Sequence, residues 1–151
     1  TAERVNLNEV VERSVRWVVQ NASARFPVEV DLPPDLICAC SSGQLQQVVM
    51  NLVQNACDAT ANQAEGKLII SCRVESGVAH MSFTDNGPGI AAENLGRLFE
   101  PFFTTKPVGQ GTGLGLSISY GIVDRHGGKL SATNAPGGGA QFILALPVES
   151  H

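Results

Sequence analysis

Apolar residues recur at Val10, Val11, Val15, Val18 and Val19 with mixed spacing of three and four, which predicts a first helix with Asn6 or Asn8 as N-cap. From Pro27 to Cys40 the period changes to two. Val28, Val30 and Leu32, then the run from Leu36 to Cys40 beyond the Pro33-Pro34 turn, predict two short strands. Ser41 or Ser42 caps a second helix running to about Asn62, whose stripe of Leu45, Val48, Val49, Leu52, Ala56 and Ala59 suits packing on a sheet. Lys67–Glu75 and Val78–Thr84 flank Ser76-Gly77 as a hairpin. Leu114–Arg125 predicts a third long helix, closed by Gly127-Gly128. Lys129–Asn134 and Gln141–Pro147 predict a last hairpin around Pro136-Gly137-Gly138-Gly139. Together these elements predict an α/β (α+β) two-layer sandwich, with a mixed sheet of about five or more strands packed on three helices. No internal repeat and no second domain break the run from 1 to 151.

Length and composition agree with one globular unit. A chain of 151 residues with 43% hydrophobic content buries roughly 68–70% of its unfolded surface, enough for a core without disulfide or metal. The balance of 10 basic against 14 acidic side chains, net −4, leaves no basic footprint for nucleic acid, so any anion site must be built locally. The longest apolar stretch, Phe142–Val148, is far short of a membrane span, and no basic-then-apolar leader opens the chain. Cys38, Cys40, Cys57 and Cys72 form no C-x-x-C pair and sit in apolar segments. They read as small core residues in a reducing compartment, which points to the cytoplasm.

Three segments carry candidate chemistry. On the second helix Asn51, Asn55 and Asp58 fall within roughly a 60° arc at 100° per residue. Such a face is either solvated or a divalent-ion site, because magnesium takes hard oxygen ligands such as an Asn carbonyl while bridging nucleotide phosphates. Asp85-Asn86-Gly87-Pro88-Gly89-Ile90 follows a strand and reads as a turn. It also suits a flat ring: Asp85 accepts from an exocyclic amino group, and Gly87 and Gly89 leave no Cβ in the way.

Of the 16 glycines, 13 lie between Gly87 and Gly139, which marks that stretch for close backbone approaches. Within it, Gly109, Gly111, Gly113 and Gly115 alternate straight into the third helix, presenting free N–H groups and the positive end of the helix dipole to phosphate, or else forming a linker. The spacing is neither G-x-G-x-x-G nor the Walker pattern, which disfavours both of those nucleotide folds. Leu98 to Lys106 holds three of the six phenylalanines within five residues, a core plug or a lid whose Lys106 offers charge to phosphates.

Taken together these residues resemble the catalytic ATP-binding domain of bacterial two-component sensor histidine kinases. The N box resembles Gln47 through Asn51 and Asn55 to Asp58-Ala59, and the first G box Asp85 to Ile90. The F box resembles Leu98 to Phe103, and the second G box Gly111 to Ser117. The likeness continues through Tyr120 to Gly128 and the opening Val5 to Val10, so it covers essentially the whole chain. It implies the Bergerat (GHKL) sandwich, with ATP between the second helix and a lid of about residues 92–112, typical of nitrogen-regulatory-type kinases.

The resemblance implies roles residue by residue. Asn55 is the magnesium ligand with Asn51 beside it, Asp85 reads the adenine amino group, and Gly87 and Gly89 shape the adenine pocket. Gly111, Gly113 and Gly115 serve the phosphates, and Asp58, Ile90, Phe99, Thr112 and Leu114 lie along the same nucleotide site. Asn51 and Lys106 act on the transferred phosphoryl group. ATP and Mg2+ are the implied ligands.

Relatives of the same fold that hydrolyse ATP, such as DNA gyrase, heat-shock chaperones and mismatch-repair proteins, carry Glu where Asn51 stands. A carboxylate there deprotonates water and a neutral amide does not, so Asn51 argues for transfer over hydrolysis. The alternatives are an ATPase of the same fold and an ATP-sensing module without transfer. The implied acceptor is a histidine on a dimerising helical domain of the same protein, which the resemblance places N-terminal to a start like Thr1, so the chain looks like an excised domain. A response regulator receiver domain is the implied downstream partner. His80, His126 and His151 are poor acceptors by position, and His126 reads as a helix-end capping residue.

Overall fold

The computed structural model describes residues 2–22, 25–103 and 115–149. Among these described residues, seven strands and four helices follow in the order β1 (Glu3–Asn6), α1 (Leu7–Asn21), β2 (Val28–Asp31), β3 (Ile37–Cys40), α2 (Ser42–Ala59), β4 (Leu68–Glu75) and β5 (Val78–Asp85), then α3 (Ala92–Leu95), α4 (Gly115–Arg125), β6 (Lys129–Asn134) and β7 (Ala140–Pro147). Five strands form one sheet in the order β2-β4-β5-β7-β6. β2 pairs parallel with β4 and the remaining neighbours are antiparallel, so the sheet is mixed.

The helix layer covers one face. On β5 the inward row runs Ala79, Met81, Phe83 and Asp85, all buried, and on β7 it runs Ala140, Phe142, Leu144 and Leu146. Against these rows α2 packs the apolar stripe expected of it, Leu45, Val48, Val49, Leu52, Val53 and Ala56. The helix lies between α1 and α4. The two-layer architecture is therefore the one the periodicities predict, and the inward row of β5 ends on a carboxylate.

Several details differ from the sequence reading. Residues ahead of the first helix form β1, which pairs antiparallel with β3 in a separate two-stranded sheet. Alternation over so few residues has too little contrast to mark a strand, and this one is stabilised by a distant partner. Asn6 is the N-cap of α1, accepting from the Asn8 N–H at 3.1 Å, while Asn8 bonds the Pro33 carbonyl and the Leu36 N–H instead. α2 stops at Ala59, not near Asn62, because Thr60 leaves helical geometry at φ −106, ψ 6 and the chain goes on in three-residue turns, Ala61 N–H to the Asp58 carbonyl and Gln63 N–H to the Thr60 carbonyl. Beyond the three long helices there is a single turn, α3, inside the segment expected to be lid. Cys38 and Cys40 are buried under the small sheet, Cys57 and Cys72 are half-buried, and all four are free.

No helix among the described residues is long and apolar enough to cross a membrane.

Candidate functional site

Two segments meet one face of α2. Its N-box face begins at Asn51, whose Nδ2 donates to the buried Ser119 hydroxyl of α4 at 3.2 Å. The two helices meet there so closely that a Cβ on Gly115 would lie 2.6 Å from Asn51 Oδ1. Two turns along α2, a Cβ on Gly87 would lie 3.2 Å from the Ala59 carbonyl oxygen. The helix thus touches the start of α4 at one end and the Asp85–Ile90 loop at the other. At 1.5 Å per residue, 51 to 59 spans about 12 Å, which suits an extended nucleotide laid along the helix.

Asp85 anchors the far end. It is 6% exposed, and its Oδ1 accepts from the Gly87 N–H at 2.8 Å and the Ala140 N–H at 3.1 Å. No hydrogen bond to Oδ2 is present among the described residues, which leaves that oxygen as an acceptor for a ligand donor. Asn86, the next residue, takes no part in the cleft: its amide bonds the Lys67 N–H and the Glu65 carbonyl, both at 2.8 Å. It secures the loop before β4.

The remaining sequence-predicted residues divide sharply. Asn55 is half-buried on the same α2 face as Asn51, and Asp58 is exposed there with Oδ1 accepting from Gln54 at 2.9 Å. Gly89 adopts φ +83, a backbone conformation that favours glycine. Ile90 is bonded through both its N–H and its carbonyl to the Asn134 amide. Phe99 packs on Tyr120 of α4 at 5.2 Å between ring centroids and edge-on to Phe142 of β7 at 6.4 Å. It is an anchor of its segment against the helix layer. Phe103 lies under the Arg97 guanidinium at 4.7 Å, and Phe102 is 73% exposed. Lys106, Gly111, Thr112, Gly113 and Leu114 lie outside the described residues.

Four further groups contribute: Ser119, Asn134, Gly139 and the Ala140 N–H. None carries a periodic or motif signal of its own, since Gly139 and Ala140 read as hairpin and Asn134 as a strand end. Among the described residues no cluster of three or more His, Cys, Asp or Glu is placed to hold a metal. The Asn51/Asn55 face instead presents one or two amide oxygens, the kind of donor set that suits a divalent ion when phosphates and water complete its shell.

This arrangement has counterparts among known proteins. Residues 40–150 match the family described as histidine kinase-, DNA gyrase B-, and HSP90-like ATPase. The chain belongs to that family. Within it, the chain is similar to sensor histidine kinase ZraS of Klebsiella oxytoca, 38% identical over 149 residues, covering 97% of this chain and 31% of that protein. It is also similar to the two-component sensor PprA of Pseudomonas aeruginosa, 42% identical over 130 residues, covering 80% of this chain and 14% of that protein. The chain therefore spans less than a third of the relatives' length. Among solved structures, the mycobacterial sensor histidine kinase MprB superposes with TM-score 0.87 at 29% identity, covering 100% of both chains. The catalytic domain of histidine kinase ThkA superposes with TM-score 0.81 at 32% identity, covering 98% of each. The ATPase domain is thus placed with the sensor histidine kinase branch of its family in both sequence and fold.

Proposed function

We propose that this ATPase domain binds Mg-ATP along the cleft face of α2 and passes the γ-phosphoryl group to a histidine on an adjoining dimerisation domain of the same protein. From that histidine a response regulator receiver domain draws the group, in two-component signalling at the cytoplasmic side. The observation that carries the binding half is Asp85, a buried carboxylate with one oxygen held by two backbone N–H groups and the other left to a ligand. Adenine presents the matching donor, its exocyclic amino group. Gly87 and Gly89 keep side chains out of the plane where the ring lies.

At the other end, the Asn55 and Asn51 carbonyl oxygens are hard donors suited to magnesium, which when bound neutralises phosphate charge. Gly115 brings the start of α4 against Asn51. The backbone N–H groups of that helix end are thereby available to phosphate oxygens. Lys106 and Gly111 through Leu114 are assigned to the same phosphate end on the strength of their motif. In phosphoryl transfer the protein's task is positioning and charge neutralisation, and the nucleophile comes from outside. Asn51 carries no titratable proton acceptor, so the domain orients ATP without activating water.

The test is to incubate the chain with γ-labelled ATP and magnesium, with and without the histidine-bearing helical segment of the same protein. Acid-labile label on that segment, only when both are present, is the expected result. Steady release of free phosphate by the chain alone would place it with the hydrolysing members of the family and overturn the argument from Asn51.

A further inference from the structure

The loop from Asp85 to Ile90 is gripped at both ends by one cross-strand pair. Asn134, the last residue of β6, faces Ala140, the first of β7. Ala140 donates its N–H to Asp85 Oδ1 at 3.1 Å. Asn134 spends its whole amide on Ile90, accepting from the Ile90 N–H at 2.7 Å and donating to the Ile90 carbonyl at 2.8 Å. The intervening turn is closed on itself by Ala135 N–H to the Gly139 carbonyl at 2.9 Å.

Glycines make the fit obligatory. A Cβ on Gly139 would fall on the Asp85 carbonyl oxygen, and one on Gly89 would lie 2.8 Å from Asn134 Oδ1. Both glycines hold positive φ, +84 and +83. The hairpin is therefore seated on the loop at van der Waals contact, and no side chain separates them.

We infer that Asn134 is a positioning residue for the nucleotide site: through its paired hydrogen bonds to Ile90 it fixes the far wall of the adenine pocket against Asp85. The inference rests on the proposed adenine role of Asp85. Without the amide, Ile90 loses both partners at once and the loop is held only at its Asp85 end, where Gly87 stays bonded to Asp85 Oδ1, so Gly89 and Ile90 no longer keep a fixed place. The loss falls on every adenine nucleotide alike, because the phosphates lie at the other end of α2.

The test is titration calorimetry of Mg-ATP and Mg-ADP on the whole chain, as wild type, Asn134→Ala, Asn134→Asp and Asp85→Asn. Asn134→Ala is expected to weaken both nucleotides by about tenfold, the order set by two exposed neutral hydrogen bonds. Asn134→Asp supplies the readout that a merely structural role does not move. As a carboxylate it cannot donate to the Ile90 carbonyl. As a neutral acid at low pH it can, so its affinity relative to wild type should recover on acidification. That variant also decides the matter if Asn134→Ala fails to fold. If Asp85→Asn abolishes binding while Asn134→Ala and Asn134→Asp bind as wild type at every pH, the clamp is refuted and the adenine assignment stands. If Asp85→Asn binds normally, the adenine assignment itself falls and the clamp with it.

Discussion

The Asn51 amide on α2 donates through Nδ2 to the Ser119 hydroxyl on α4, 3.2 Å away, while its Oδ1 stands 2.6 Å from where a Cβ on Gly115 would lie. The contact defines how an N-box amide is oriented. Ser119 is 1% exposed, so water does not compete for the bond. One side of Asn51 is spent on α4, and the carbonyl side faces the first turn of that helix. Gly115→Ala places a Cβ 2.6 Å from Asn51 Oδ1 and should push the start of α4 off Asn51, straining the bond to buried Ser119. The expected result is a lower melting temperature in a still-folded protein, with ATP affinity reduced by about tenfold or more. Unchanged affinity by calorimetry would show that the close approach has no part in binding.

Asn55 is assigned to magnesium by its place on the same face as Asn51. Asn55→Ala should therefore remove the magnesium-dependent part of ATP binding and leave the magnesium-free part near wild type. A magnesium titration at fixed ATP separates the two. An unchanged titration would remove Asn55 from the ligand set.

His126 joins the end of α4 to the start of α2. Its Nε2 accepts from the Ser41 N–H at 3.1 Å and its Nδ1 lies 2.8 Å from the Ile122 carbonyl oxygen. Only the neutral ring protonated on Nδ1 satisfies both partners, since one nitrogen must accept and the other donate. Ser41 is also the N-cap of α2, so the ring holds two helix ends together without entering the cleft. His126→Gln keeps a donor and an acceptor and should bind ATP as wild type. His126→Leu strands the Ser41 N–H and should cost about 1–3 kcal/mol in urea denaturation. Strong loss of ATP binding by a folded His126→Gln variant would show that the histidine acts in the site.

The paired thiols under the small sheet confer an alkaline limit. Burial, and then the neighbouring Cys38, push Cys40 up to about 12 from an ordinary 9.0. Cys38 is also raised, chiefly by burial. Unfolded thiols therefore lose protons at pH values where folded ones keep them. Their contribution to stability is complete below pH 9.0 and falls as pH rises from there toward 12. Urea melts on either side of pH 9.0 should show a smaller alkaline loss for Cys40→Ala than for wild type. Equal losses in the two proteins would dismiss the thiols as the cause.

Much of this architecture is legible in the order of residues alone. Long helices and hairpins announce themselves because burial imposes periods of 3.6 and 2 on whole segments, as in the α2 stripe and the inward row of β5. The candidate site was legible for a different reason. Asn51, Asn55, Asp85, Gly87, Gly89 and Gly115 stand in short local motifs where residue type and spacing follow from the chemistry.

What the tertiary structure decided are relationships across long separations. β1 is a strand because β3 lies beside it, Phe99 is an anchor because Tyr120 and Phe142 flank it, and Arg4 pairs at 2.7 Å with Glu149, 145 positions away. Ser119 beneath Asn51 and Asn134 across from Ile90 belong to the same class. A single polar residue carries no period, and its partner is chosen by how the layers stack. The sequence by itself therefore determined the elements and the chemical groups on offer, through local periodicity and spacing. The packing of α4 on α2 and of the last hairpin on the Asp85 loop decided which of those groups are held, and in what orientation, because hydrogen bonds and close contacts depend on distances that only the folded layers set.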